Sequence, residues 1–260
     1  MNYGMYLSAA GALGNMHRQD VLANNLANMN TVAFKPDSVH LRQRLPERVE
    51  SMGAPGTFTD PRFMLERLGG GAFVDATRTS MRQGELIKTD NDLDVAFQSE
   101  GFFVVTSGIG ADPAARRLTR DGRFTLNERS ELVMIGTGLK VLDAENEPIR
   151  LDPAKKVRID EDGAVIQDGR EVARIQRASA EARELVKVGD NLFRHNGAPA
   201  QFPQADGRLR QSYVESSAVN PIMTLNSMVS AAKAAQSNLQ MIQYHDHTLG
   251  QMFNTFGRVA

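Results

Sequence analysis

Residues that could do chemistry are few, and their spacing argues against most of it. The stretch TDNDLD places Asp90, Asp92 and Asp94 at alternate positions, as in the first half of a calcium loop. Such a loop needs glycine at its sixth position and a bidentate glutamate at its twelfth, and here those are Val95 and Gly101. A strand or turn edge is the better reading. His245 and His247 stand two apart in a helical pattern, so they fall on different faces and cannot share one ion. His17, His40 and His195 have no partner set in the sequence. The run LGGGA from Leu68 to Ala72 lacks the Gly-Lys-Ser/Thr ending of a phosphate loop and reads as a hinge. No serine sits in a nucleophile elbow. The chain has no cysteine, which excludes disulfides, thiolate nucleophiles and Cys-ligated zinc. No carboxylate pair stands out from solvated surface. The expectation is a protein that is not an enzyme, with no catalytic, cofactor or metal site.

What the sequence does carry is organisation. Charge is unevenly spread along the 260 residues, whose net charge is −1. Residues 1–30 hold only Arg18 and Asp20, and residues 221–260 only Lys233, Asp246 and Arg258. Chain ends are normally the best-solvated parts. Here they are the least charged, so they are expected to meet something other than water. Met5, Ala9, Ala12, Met16, Gln19, Ala23 and Leu26 step by alternating fours and threes. Leu225, Met228, Ala232, Ala235, Leu239, Ile242, Asp246, Leu249, Phe253 and Phe256 do the same. This is the seam of helices that supercoil or bundle. Asn220 is a candidate N-cap with Pro221 at the first helical position, and the helix should run to about Phe256. Faces away from the seam also lack Glu–Lys pairs, which favours packing on more than one side in a multi-subunit core over a simple intrachain hairpin. Asp246 interrupts the seam and is read either as a position near its solvated edge or as a register pin between subunits.

Between the arms the signals change to short strands and tight turns. Asp121-Gly122, Asp162-Gly163 and Asp168-Gly169 each lie between apolar runs and predict three hairpin turns. GFFVV from Gly101 to Val105 is a buried strand by length and composition. The fold class expected is mainly β with long terminal α-helices: an antiparallel β-domain, curled or closed as a barrel, flanked by N- and C-terminal helices that pair in a helical assembly. The divisions are 1–35, an N-terminal assembly helix and exit turn; 36–72, an irregular connector; 73–215, the β-rich domain; and 216–260, the C-terminal assembly helix. Near-neutral charge offers nothing to nucleic acid, and no apolar run is long enough for membrane insertion. The N-terminus lacks a basic region and a compact apolar core, so no cleaved signal peptide is expected.

The segment LSAAGALGNMHRQDVLANNLANMNTVAFK resembles the N-terminal signature of the flagellar axial proteins, the rod and hook proteins of the bacterial flagellum. The resemblance continues through TDNDLDVAFQSEGFFVV, LTRDGRFTLNERSELV, VGDNLF and QSYVESSAVNP, and so spans nearly the whole chain. Length and the modest central domain look most like the basal-body rod proteins. The resemblance implies a structural subunit whose terminal helices line a hollow helical shaft that transmits torque and passes exported subunits. It implies export through the flagellar type III apparatus without a cleaved signal, assembly in the periplasmic part of the basal body, and as partners further copies of itself and other rod and hook subunits. Within the family the alternative is a hook or hook-like axial protein. Outside it, the alternative is a secreted β-domain binding module that dimerises through its helical arms.

Two departures from the family pattern stand out. Ala33 replaces the usual glycine before Phe34, and a left-handed position would be strained by alanine, so the turn after Thr31 is expected to differ. AKAAQSN, from Ala232 to Asn238, lacks the family's Arg, Tyr and Glu in that stretch. The resemblance also gives a reading of the asparagines. Asn24, Asn25 and Asn28 share a helix face, and their uncharged amides are expected to bond between subunits and fix orientation. Asn30 and Thr31 are expected to end the helix by bonding local backbone.

Overall fold

A computed structural model describes residues 3–43, 71–108, 115–197 and 202–256. The chain forms two compact units, one of residues 1–27, 37–79 and 220–260, the other of residues 28–36 and 80–219.

The first unit is built on two helices, α1 (Tyr3–Ala27) and α2 (Pro221–Phe256). The start of α2 is set as its sequence predicts. Asn220 Oδ1 accepts from the Met223 amide at 3.1 Å, and the Asn220 carbonyl accepts from Thr224 at 3.0 Å. Pro221, with no amide hydrogen to lose, takes the first helical position. At about 1.5 Å per residue α2 is roughly 54 Å long. The helices pack antiparallel within the chain, Gly4 against His245 and Gly11 against Asn238. A Cβ at Gly11 would stand 2.9 Å from the Asn238 amide nitrogen, so the absence of a side chain is what permits this approach. Two short antiparallel pairs complete the unit: β1 (Asp37–Ser38) with β4 (Arg78–Thr79), and β2 (Leu41–Gln43) with β3 (Ala72–Val74). The flanks of the expected connector are thus paired strands, while residues 44–70, including most of the expected glycine hinge, lie outside the described residues.

The second unit is antiparallel β, beginning with β5 (Leu86–Lys88) and β6 (Val95–Phe97), which pair with Tyr213–Glu215 and Leu209–Gln211. Its centre is β7 (Phe102–Thr106), which pairs with β8 (Arg116–Thr119) on one side. On the other side it pairs with both β11 (Lys140–Val141) and β15 (Arg177–Ala178). Beyond β8 come β17 (Leu192–His195) and β16 (Leu185–Gly189); beyond β11 come β10 (Leu132–Met134) and β9 (Phe124–Leu126). Among the described residues the path is open, ending at β16 and β9, rather than closed as a barrel. Both faces of β7 are covered. Phe103 and Val105 join a core with Phe97, Phe124, Leu132 and Ile175, while Phe102 and Val104 join another with Leu118, Leu142 and Phe193. Period-two alternation into two cores is why GFFVV is apolar throughout. Phe103 meets Phe124 edge-on at 5.1 Å between ring centres, a favoured aromatic geometry.

Two of the three Asp-Gly pairs make the expected hairpins. Gly163, at φ +89°, turns β12 (Val157–Ile159) into β13 (Ala164–Gln167). Asp168 and Gly169, at φ +51° and +76°, turn β13 into β14 (Arg170–Arg174) with both central residues left-handed, as a two-residue hairpin requires. Asp121-Gly122 does not make a hairpin: β8 and β9 pair with other strands, and Asp121 is buried. The Gly122 carbonyl accepts from Val95 at 2.9 Å, and a Cβ there would fall 1.7 Å from the Val95 oxygen. This glycine is required by close backbone approach, not by turn geometry.

Candidate assembly interface

The segment that leaves α1 is built into the β-unit. Thr31 closes the first turn through its amide on the Asn28 carbonyl at 3.2 Å and its hydroxyl on Asn28 Oδ1 at 3.1 Å. Ala33 is left-handed at φ +57° and 1% exposed. The turn therefore keeps the geometry that favours glycine, correcting the expectation that it differs, and alanine bears a strain of about 1–2 kcal/mol. What holds it there is the chain entering α2. The Ala33 amide donates to the Glu215 carbonyl at 2.7 Å, and the Ala218 amide to the Phe34 carbonyl at 3.0 Å. From the side, Asn191 Nδ2 donates to the Val32 carbonyl at 2.8 Å and Lys187 Nζ to the Lys35 carbonyl at 2.7 Å. The Lys187 ammonium also lies 4.2 Å from the centre of the buried Phe34 ring.

Beneath this clasp lies a buried ion triad. Lys35 Nζ donates to Glu215 Oε1 at 2.6 Å and to the Arg82 carbonyl at 2.8 Å. Arg120 Nη1 donates to Glu215 Oε2 at 3.3 Å and to the Ser99 carbonyl at 2.8 Å. Gly84 adds its amide to Glu215 Oε1 at 2.9 Å. Lys35 and Glu215 side chains are 0% and 1% exposed, Arg120 4%. Burial pulls the Lys35 ammonium below its ordinary pKa, and the Glu215 carboxylate opposes that. Arg120 is lowered for the same reason, with Glu215 again opposing, and its guanidinium lies near the Phe97 and Phe102 rings, about 5 Å from each centre. Three charges out of water are costly, and the carboxylate between two cations is what makes the arrangement tolerable.

Asn25 makes a second internal clasp. Its side chain is buried, with Nδ2 donating to the Asp37 carbonyl at 2.7 Å and Oδ1 accepting from the Asp37 amide at 3.0 Å. One amide group thus mimics a rung of a β-ladder and fastens β1 to α1. Its amide donates one bond and accepts one within the chain.

The expected seam residues divide between two faces of the helix pair. Met5, Ala9, Leu26, Met228, Ala232, Ile242 and Leu249 are half-buried, and Ala12 and Ala235 are buried. The side of α2 turned to α1 runs through Ala231, Ala235, Asn238, Ile242, His245 and Leu249. Met16, Ala23, Asn24, Asn30, Asn220, Pro221, Leu225, Leu239, Asp246 and Phe253 are exposed, while Asn28 and Thr31 are half-buried and Phe34 is buried in the β-unit. Phe256 ends the helix. Phe253 is 77% exposed, and further large apolar side chains lie open beside these, among them Leu13 (66%) and Ile222 (73%). Tyr6, Met223, Val229, Met241 and Tyr244 are exposed with them. The pair therefore buries one stripe of each helix, α1 buries a further part against β1 and its neighbouring strands, and what remains open is apolar and almost uncharged. Burying a side chain of this size is worth about 1.5–3 kcal/mol, so such a face is a strong driver of association.

Among the described residues no group of three or more His, Asp or Glu side chains is placed to hold a metal ion, and no helix is long and apolar enough to cross a membrane. Asp94 of the TDNDLD stretch is buried and accepts from Asn91 Nδ2 at 2.8 Å, closing a turn. Lys35, Arg120, Lys187, Asn191 and Glu215 escaped the sequence reading. Only Lys35 carried a signal, as a lone charge ending an uncharged stretch; the partner that neutralises it is 180 residues away.

Residues 8–35 match the family model for flagella basal body rod protein. Similarity to curated proteins extends over the whole chain. The flagellar basal-body rod protein FlgF of Caulobacter vibrioides is 28% identical over 93% of both chains. The flagellar basal-body rod protein FlgG of Borreliella burgdorferi is 28% identical over 96% of this chain and 97% of its own. The flagellar hook-basal body complex protein FlhO of Bacillus subtilis is 25% identical over 98% and 99%. The match begins in α1, runs through the clasped exit segment and continues through the β-unit and α2, so the chain is similar along nearly its whole length to flagellar basal-body rod proteins.

Proposed function

We propose that this protein is a structural subunit of the bacterial flagellar basal-body rod. Its terminal helices pack against those of neighbouring copies, and of other rod and hook subunits, to form a hollow shaft that transmits torque and lets exported subunits pass. The observation that carries this reading is the open apolar face of the helix pair in a chain similar to rod proteins over its full length. A free monomer gains nothing from leaving Phe253, Ile222 and Leu13 in water, whereas subunits stacked around an axis bury them. Low charge on both helices suits packing on several sides, since no solvating face needs to be kept outside. The chain travels through the flagellar type III export apparatus and assembles in the periplasmic portion of the basal body. It is not an enzyme, a reading supported by relatives that are rod proteins by name. Deleting the gene in its own organism and imaging purified basal bodies tests the proposal. The expected result is a missing or shortened rod and lost motility, restored by the wild-type copy; full-length rods in the deletion strain would overturn it.

A further inference from the structure

The geometry points to Lys35, Glu215 and Arg120 as a mechanical joint: the buried triad that locks the roots of both helices to each other and to the β-unit against pulling. This rests on the reading of the chain as a torque-transmitting subunit, but the joint itself is a property of one molecule. The covalent chain crosses between the helical unit and the β-unit at four places, and two of these, at Asn28 after α1 and at Val219 before α2, are the helix roots. The two entry segments lie side by side, with Ala33 bonded to Glu215 and Ala218 bonded to Phe34. Two backbone bonds alone would be exposed to rupture one after the other. Glu215 adds a side-chain bolt in the same place, because one carboxylate accepts from Lys35 on the α1 root and from Arg120 on the corner after β8. Lys187 and Asn191, in and beside the β16–β17 hairpin, hold the same root from another side.

Burial decides why an ion triad serves here better than more apolar packing. Hydrophobic contact is non-directional, so a segment can slide along an apolar surface while losing little area at each step. Charges held out of water must be unpaired before they can be re-solvated, and separating them is steeply opposed at short range. The lock should therefore resist displacement of the roots in particular, beyond whatever it adds to global stability.

Single-molecule pulling on the full-length protein tests this. The chain has no native cysteine, so introduced cysteines are the only handles. Handles at Asn30→Cys and Asn220→Cys, both exposed, pull the two roots apart. Handles at the exposed Arg129→Cys and Val172→Cys load the β-unit without loading the roots first. In the Lys35→Met variant the opening rate between the root handles at a given force should rise at least about 100-fold, as removal of one partner from a buried pair implies. The rate between the β-unit handles should change far less, and Lys35→Arg should restore most of the resistance at the roots. An unchanged root-opening rate, or an equal acceleration across both handle pairs, overturns the proposal, the second because the triad would then be a general stabiliser. Since the measurement uses no assembled rod, its failure is distinct from failure of the rod assignment.

Discussion

At the residue scale the buried triad sets a rank order. Lys35, Arg120 and Glu215 together carry one net positive charge. Lys35→Met leaves Glu215 neutralised by Arg120, whereas Glu215→Leu leaves two buried cations facing each other. Breaking a buried pair costs about 3–5 kcal/mol. Lys35→Met should fall at the low end and Glu215→Leu at or beyond the high end, measured as unfolding free energy in urea. Equal losses would show that the carboxylate is not the centre of the cluster. Glu131 gives a pH dependence. Its buried carboxylate is held below the ordinary range by hydrogen bonds from the Asn127 amide and the Lys140 ammonium, against the opposing effect of burial. A carboxylate with a depressed folded pKa stabilises fully above its unfolded value of about 4.3, and that stability is lost as pH falls through the folded value. Urea midpoints followed from about pH 6 down to 2 should therefore drop at the acid end, and Glu131→Gln should flatten that drop. An unaltered acid limb in the variant would assign the loss to other groups.

At the element scale, local signals were legible where they act locally. Asn220-Pro221 announced the start of α2 because cap and first turn are contiguous in sequence, and Asp168-Gly169 announced a hairpin for the same reason. Asp121-Gly122 carries the same dipeptide but sits where Val95 crosses closely, and no local pattern encodes a neighbour 27 positions earlier. The two glycines should therefore respond differently to alanine. Gly122→Ala must displace backbone and should cost at least about 3 kcal/mol. Gly169→Ala meets nothing within 4 Å and bears only left-handed strain, about 1–2 kcal/mol. Chemical denaturation of both variants checks the ordering, and a comparable loss in each would contradict the close-approach account. The phase of α2 was not legible. A period of 3.5 gives the pitch of the apolar stripe, but with apolar residues on adjoining faces it does not say which stripe meets α1. Leu225, Leu239 and Phe253 keep the rhythm and still point outward.

At the scale of the whole molecule, the similarity to flagellar rod proteins was readable from contiguous motifs, and the low charge of both ends raised the expectation of helices packed on more than one side. Neither reading reached the clasp, whose residues are drawn from positions 32–35, 120, 187, 191 and 215–218 and converge only on folding. In the proposed shaft the outer face of the helix pair, open in one copy, is covered by neighbouring subunits. Cysteine labelling tests it directly, because any introduced cysteine is the only one in the chain. Single cysteines at Leu13, Leu225 and Phe253 should react readily with a maleimide in the purified monomer and be protected in basal bodies isolated from motile cells, while a cysteine at Val172 on the β-unit stays reactive in both. Equal reactivity of the three helix positions in monomer and basal body would contradict the account.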